Sequence, residues 1–176
     1  MVLCFVDPGV GMSSPSSKSA PGSKSFLWTF PECPLRIHVN LQFVESLRKI
    51  LNSAADHEVG GLLIGKDLSR NGDIEVSDYF QLPPAPESSP NFVICSDLLA
   101  QSIKSASAVQ GRVIGFYRTH LEQRIQLRPK DLECARSNFS DPMNVFLVIR
   151  PHDGRASAAF FFWHDGSVVG GLTFPF

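Results

Sequence analysis

Apolar and polar positions alternate with a period of two in Leu35-Arg-Ile-His-Val39, the pattern of a strand with one buried face. The period then changes. Phe43, Leu47, Ile50, Leu51 and Ala54 recur at three- and four-residue steps, which puts them on one face of a helix over residues 41–55, with Asn40 as its N-cap. Val59-Gly-Gly-Leu-Leu-Ile64 is apolar throughout and predicts a buried strand, its paired glycines marking a bulge or a close approach of backbone. Asn71-Gly72 is a turn signal, so residues 74–82 return as the next strand. Pro83, Pro84, Pro86 and Pro90 predict an extended loop. A short strand over 91–95 follows it, and then a helix over 97–108 capped by Ser96.

The second half repeats the alternation of strand and helix. Residues 112–117 form an apolar β-rich run, and Pro129 suits the first position of a helix through Asp131, Cys134 and Ala135. Asn144 to Ile149, Ala156 to Trp163 and Ser167 to Val169 read as strands joined by turns at Asp153-Gly154 and Asp165-Gly166. A helix before the Glu58 strand and another after His120 predict an α+β domain. It spans residues 26–176, with order beginning in the β-prone run Phe26-Leu-Trp-Thr-Phe30. Leu172 to Phe176 reads either as a last core strand or as part of an interface. Residues 1–25 contain a run of Ser, Pro and Gly that is too poor in apolar side chains to offset the entropy of ordering. They read as a disordered leader.

Composition narrows the function. With 43% apolar and 19% charged residues the chain is an ordinary globular sequence, and its 176 residues suffice for one domain with a real core. A net charge of −1 gives no generic attraction to nucleic acid or to an anionic membrane. No apolar run is long enough to span a bilayer, and Met1 to Val6 is too short for a signal sequence, so a cytoplasmic protein is expected. Cys4, Cys33, Cys95 and Cys134 have neither zinc-finger nor disulfide-framework spacing and read as reduced, mostly buried thiols.

The polar residues that interrupt the apolar pattern carry the candidate chemistry. Glu58 stands just ahead of Gly60-Gly-Leu-Leu-Ile-Gly65, His120 closes Gly115-Phe-Tyr-Arg-Thr-His120, and Asp131 closes Arg128-Pro-Lys-Asp131. His120 therefore falls just past a strand end and Asp131 in the first turn of a helix, where two ligands could converge on one ion. From about residue 35 to 165 these pieces resemble the JAB/MPN domain, the fold of the JAMM zinc isopeptidases. That family's pattern is a Glu ahead of Gly-Gly-x-Leu-x-Gly, then His-x-His, seven residues, a Ser, two residues and an Asp. The resemblance implies a mixed β-sheet flanked by helices. It also implies zinc on two His and one Asp with a polarised water, a Glu acting as general base, and a Ser that helps stabilise the tetrahedral intermediate. The reaction is hydrolysis of a peptide or isopeptide bond, often beside a ubiquitin-like C-terminus.

Glu58, His120 and Asp131 match that pattern in order and spacing. Arg118 stands at the first ligand His, and Arg128 at the Ser. A guanidinium has no free lone pair and cannot ligate. As a fixed cation it also repels a metal, at a cost of about several kcal/mol in a dry site. The expectation is therefore a metal-free pseudo-active site in which Arg118 pairs with Asp131, Glu58 or both, and no cofactor. Such a domain serves in binding or as a scaffold. The partner implied by the resemblance is a protein, either ubiquitin-like or another JAB/MPN subunit.

Two other readings stay open. A divergent zinc peptidase could use Glu58, His120, Asp131 and an unrecognised third ligand. Alternatively, the block from Arg112 to Arg136, with six basic and three acidic residues, could bind an anion. His38, His57, His152 and His164 have ordinary strand, turn or surface explanations, and Glu122 and Cys134 match no ligand position.

Overall fold

A computed structural model describes residues 4–5, 24–31, 33–53, 56–69, 72–83, 91–94, 96–152 and 155–176. Cys4–Phe5 (β1) pairs antiparallel with Ser25–Trp28 (β2), which pairs in turn with Arg36–Asn40 (β3). The expected leader thus contributes β1 and Ser25 to the sheet, and its residues 1–3 and 6–23 lie outside those described. Within β3, Ile37 and Val39 are buried while Arg36 faces solvent, as the alternation predicts. The Asn40 side chain accepts the Gln42 backbone N–H at 2.8 Å and caps the helix Leu41–Ser53 (α1). Phe43, Leu47 and Leu51 form the buried face of α1, while Ala54 lies outside the described residues.

Gly60–Ser69 (β4) and Asp73–Gln81 (β5) follow, then the helix Ser96–Val109 (α2) and the strand Arg112–Thr119 (β6). The chain continues through the helix Pro129–Asn138 (α3) and the strands Val145–His152 (β7), Arg155–His164 (β8), Ser167–Gly170 (β9) and Phe174–Pro175 (β10). The ten strands form one mixed sheet in the order β1-β2-β3-β5-β4-β6-β7-β8-β10, with β9 beside β8. Only the β3–β5 and β6–β7 pairs are parallel among the described strands. The β6–β7 pair needs a crossover, and α3 supplies it. The α+β architecture, a mixed sheet with flanking helices, is as expected. No helix among the described residues is long and apolar enough to cross a membrane.

The sheet separates two cores. On one side Ile37, Val39 and Tyr117 pack with Phe43 and Leu47 of α1; on the other, Leu62, Phe116 and Phe146 pack with Leu99 and Ala106 of α2 and Ala135 of α3. The β4–β6 register pairs Gly60 with Arg118, so the start of one antiparallel strand lies beside the end of the other. That register brings Glu58 to the end of β6, although about sixty residues separate them in sequence. Gly115, at φ +149°, has the Val145 carbonyl oxygen only 1.8 Å from where a Cβ would stand, so glycine is required for the β6–β7 approach.

The strand expected over 91–95 is not formed by Asn91–Ile94. The Phe92 N–H donates to Glu58 Oε2 at 2.9 Å instead, so its backbone serves the site and not a ladder. Asp165 and Gly166, at φ 47° and 73°, make the expected hairpin turn. The turns at Asn71 and Asp153-Gly154, residues 84–90 and Cys95 lie outside the described residues.

Candidate functional site

Three segments meet where β4 begins and β6 ends. Thr119 clamps two of them: its backbone N–H donates to the Val59 carbonyl at 2.7 Å, and its hydroxyl accepts the Val59 N–H at 2.7 Å. The third is the first turn of α3. Alternation along β6 turns Arg118 toward the face that holds Phe116, the same face on which α3 packs. Arg118 thus points at Asp131.

Four chemically active side chains are almost wholly removed from water: Arg118 is 1% exposed, Glu58 3%, Asp131 2% and His120 0%. Arg118 lies between the two acids. Its Nη1 donates to both Asp131 carboxylate oxygens, at 2.7 and 2.9 Å, and its Nη2 donates to Glu58 Oε2 at 2.6 Å. Its Nε donates to the Thr119 carbonyl at 3.3 Å. Asp131 also accepts the Arg128 backbone N–H at 2.8 Å, so the carboxylate that braces Arg118 also closes the first turn of α3.

Arg128 stands one side chain further out. It donates to both Glu58 oxygens, at 2.8 and 2.7 Å, and to Glu122 Oε1 at 2.9 Å. Glu58 therefore accepts from two guanidinium groups, from the Phe92 N–H, and from the Leu121 N–H at 3.2 Å. Burial by itself raises the Glu58 pKa. The Arg128 hydrogen bonds, the Phe92 N–H, the Arg118 charge and the Leu121 N–H outweigh it and hold the carboxyl below the usual glutamate range. A carboxylate with lowered basicity and every lone-pair direction engaged is a poor general base near neutral pH.

Gly60 makes the Phe92 contact possible. A Cβ there would lie 2.3 Å from the Phe92 ring, so only glycine lets this segment close over Glu58. The bare strand start has a precise local use.

His120 is held by its backbone, whose N–H donates to the Ile149 carbonyl at 2.8 Å. Its ring nitrogens are buried and have no hydrogen-bond partner among the described residues. Glu122 is 4.0 Å from Nδ1, beyond a hydrogen bond. Burial first, then the Arg128 and Arg118 charges, lower the His120 pKa against the opposing pull of Glu58 and Glu122. Both effects favour the neutral ring.

Does this donor set suit zinc? Asp131 has both oxygens committed to Arg118, whose guanidinium lies between Asp131 and Glu58 and offers no lone pair to a metal. Among the described residues, no three His, Cys, Asp or Glu side chains are gathered so as to hold a metal ion. His120 and Asp131 alone fall short of the three protein ligands of a catalytic zinc centre. The residues present do not fit the ion.

The sequence-selected residues Glu58, Arg118, His120, Arg128 and Asp131 thus come together. The other histidines do not join them: His57 is half-exposed beside Asp56, His38 faces Asp73, His152 meets Ser157, and His164 lies beside exposed Asp165. Of the basic block, Arg112 pairs with Asp67 and Asp141, which leaves Arg124, Lys130 and Arg136 exposed. Cys33 and Cys134 are half-buried free thiols, pushed up by burial to about 11 and about 12. Sequence reasoning set Glu122 aside, yet it is the second partner of Arg128. It also missed the Phe92 and Leu121 amides, since backbone donors leave no signature in side-chain identity.

Comparisons with known proteins bear on the family and the fold. The family profile described as JAB1/Mov34/MPN/PAD-1 ubiquitin protease matches residues 34–141, more than half of the chain. No curated protein matches it. Among solved structures, a protein of Desulfitobacterium hafniense studied in solution is similar, with a TM-score of 0.56 at 17% identity, over 76% of this chain and 88% of its own. A Salinibacter ruber protein gives a TM-score of 0.48 at 16% identity, over 74% and 86%. At such identities the first likeness concerns the fold, and the second carries no argument.

Proposed function

The chain belongs to the JAB1/Mov34/MPN/PAD-1 family, and we propose that it is a catalytically inactive member, a cytoplasmic binding or scaffold module in which Arg118 replaces the metal ion. One observation carries this reading: the Arg118 guanidinium bridges Glu58 and Asp131 inside a dry site. A cation is still present between the two acids. It cannot polarise water as a Lewis acid does, because a guanidinium offers no empty coordination position. Arg128 reinforces the argument, since it fills both Glu58 oxygens where a base would need one free.

Domains of this family mediate protein interactions, and the partner proposed here is a protein, either ubiquitin-like or another JAB/MPN subunit. An anion-binding role for the block from Arg112 to Arg136 is less favoured, because three of its arginines, Arg112, Arg118 and Arg128, are already paired with carboxylates.

One feature favours the divergent zinc peptidase. Among the described residues, the two buried ring nitrogens of His120 have no hydrogen-bond partner, where a ligand imidazole would stand. Its neutral ring could still coordinate. The nearest acids, however, are engaged with arginine, and the positive charge of Arg118 opposes entry of a second cation.

Restoring the pattern tests the reading. Arg118→His together with Arg128→Ser is expected to bind zinc in a calorimetric titration that leaves the native protein unsaturated. If native protein and double variant bind zinc alike, the substitution reading fails.

A further inference from the structure

On the side of the sheet away from α3 and the arginine cluster, two cavities share Arg48, Phe174, Pro175 and Phe176 and so form one groove. Their characters differ. The inner compartment, about 100 Å³, is lined by Trp28, Val44 and Phe160 together with the shared phenylalanines. The outer one, about 680 Å³, brings Arg48 of α1 together with His152 of β7 and Arg155 of β8. No Asp or Glu is among the described residues lining either compartment.

Arg48 and Arg155 are exposed, and neither is in an ion pair among the described residues. The contrast with Arg112, Arg118 and Arg128, each spent on a carboxylate of this chain, is direct. Two unspent guanidinium groups beside an apolar slot fit a ligand with an anionic end and a small apolar group next to it. The inner compartment is smaller than the roughly 150 Å³ cavity that accepts benzene. A branched aliphatic group therefore suits it better than an aromatic ring. The outer compartment is several times larger and has room for chain beyond that group.

We propose that this groove binds the C-terminal end of a peptide chain, with the terminal carboxylate on Arg48 and Arg155 and an aliphatic last side chain in the slot beside Trp28. Recognition is through side chains. Pro175 brings no N–H to the open edge of β10, and Phe176 already donates its own to the Ala156 carbonyl at 2.9 Å, so an added strand finds little to pair with. Planar guanidinium groups suit a carboxylate because they present paired donors.

The test titrates the full chain with a hexapeptide ending in leucine with a free carboxylate, following the Trp28 indole N–H resonance. Saturable binding that weakens at least about tenfold on C-terminal amidation, and as much in Arg48→Gln/Arg155→Gln, is the expected result, since losing a charge-assisted hydrogen bond costs more than about 1.4 kcal/mol. Both arginines are exposed, so the double variant keeps its fold, checked by its thermal unfolding. The proposal is overturned if the amide binds equally well, if the double variant keeps full affinity, or if the Trp28 resonance does not move. N-acetyl-leucine supplies the same carboxylate and side chain without a chain; binding as tight as the hexapeptide's would assign the groove to a small acid and overturn the peptide assignment.

Discussion

Arg118 Nη1 lies 2.7 and 2.9 Å from the two oxygens of Asp131, while the other terminal nitrogen of the same guanidinium reaches Glu58 at 2.6 Å. One guanidinium thus bridges two buried acids, and Arg128 on Glu58 supplies the second positive charge that balances them. Buried ion pairs add little net stability when complete, but removal of one member leaves an uncompensated charge.

Arg118→Met should therefore cost about 3–5 kcal/mol of unfolding free energy, measured by urea denaturation at neutral pH. Adding Glu58→Gln and Asp131→Asn to that variant should recover most of the loss, because the buried charges then disappear together. A triple variant as unstable as the single one would show that Arg118 acts through packing alone.

The lowered Glu58 pKa has a definite sign for stability. The folded state holds this carboxyl below its usual value of 4.5, so its contribution is fully present above that value and is lost as pH falls through the lowered one. Glu58→Gln should be less stable than the native protein at pH 7 and should show a flatter acid limb as pH falls below the usual glutamate range. Parallel pH profiles for the two proteins would contradict the assignment.

Gly60→Ala places a methyl group 2.3 Å from the Phe92 ring. The expected loss is about 1–3 kcal/mol, as for other overpacked sites. Phe92→Leu, which shortens the obstructing ring, should lessen that loss when the two are combined, giving a non-additive double-mutant cycle. Simple additivity of the two losses would mean that the ring is not the obstacle.

His120 has two buried ring nitrogens without hydrogen-bond partners among the described residues, and unsatisfied polar atoms cost more than an apolar group of similar shape. His120→Leu should leave stability at pH 8 unchanged within about 0.5 kcal/mol, or raise it. A loss above about 2 kcal/mol would reveal a hydrogen bond to this ring.

Much of the fold was legible because it rests on periodicity. The two-residue alternation of Leu35 to Val39, the helical spacing of Phe43, Leu47 and Leu51, and the run from Val145 to Ile149 all appear as elements in the expected places. Asn91–Ile94 departs from the expected strand because its apolar character serves a different purpose: Phe92 packs under Gly60 and lends its amide to Glu58. At the site, the resemblance to the JAB/MPN pattern brought Glu58, Arg118, His120 and Asp131 into view, and charge suggested that arginine would find acids. That Arg118 takes both acids, and that Arg128 joins it on Glu58, depends on the β4–β6 register and the crossover through α3, which no local pattern encodes.

If arginine stands in for the metal ion, the metal content of the native protein tests this most directly. Purified from zinc-supplemented medium and dialysed against a mild chelator, the protein should retain zinc at far below one ion per chain by elemental analysis. A stoichiometric ion that survives the chelator would contradict the account.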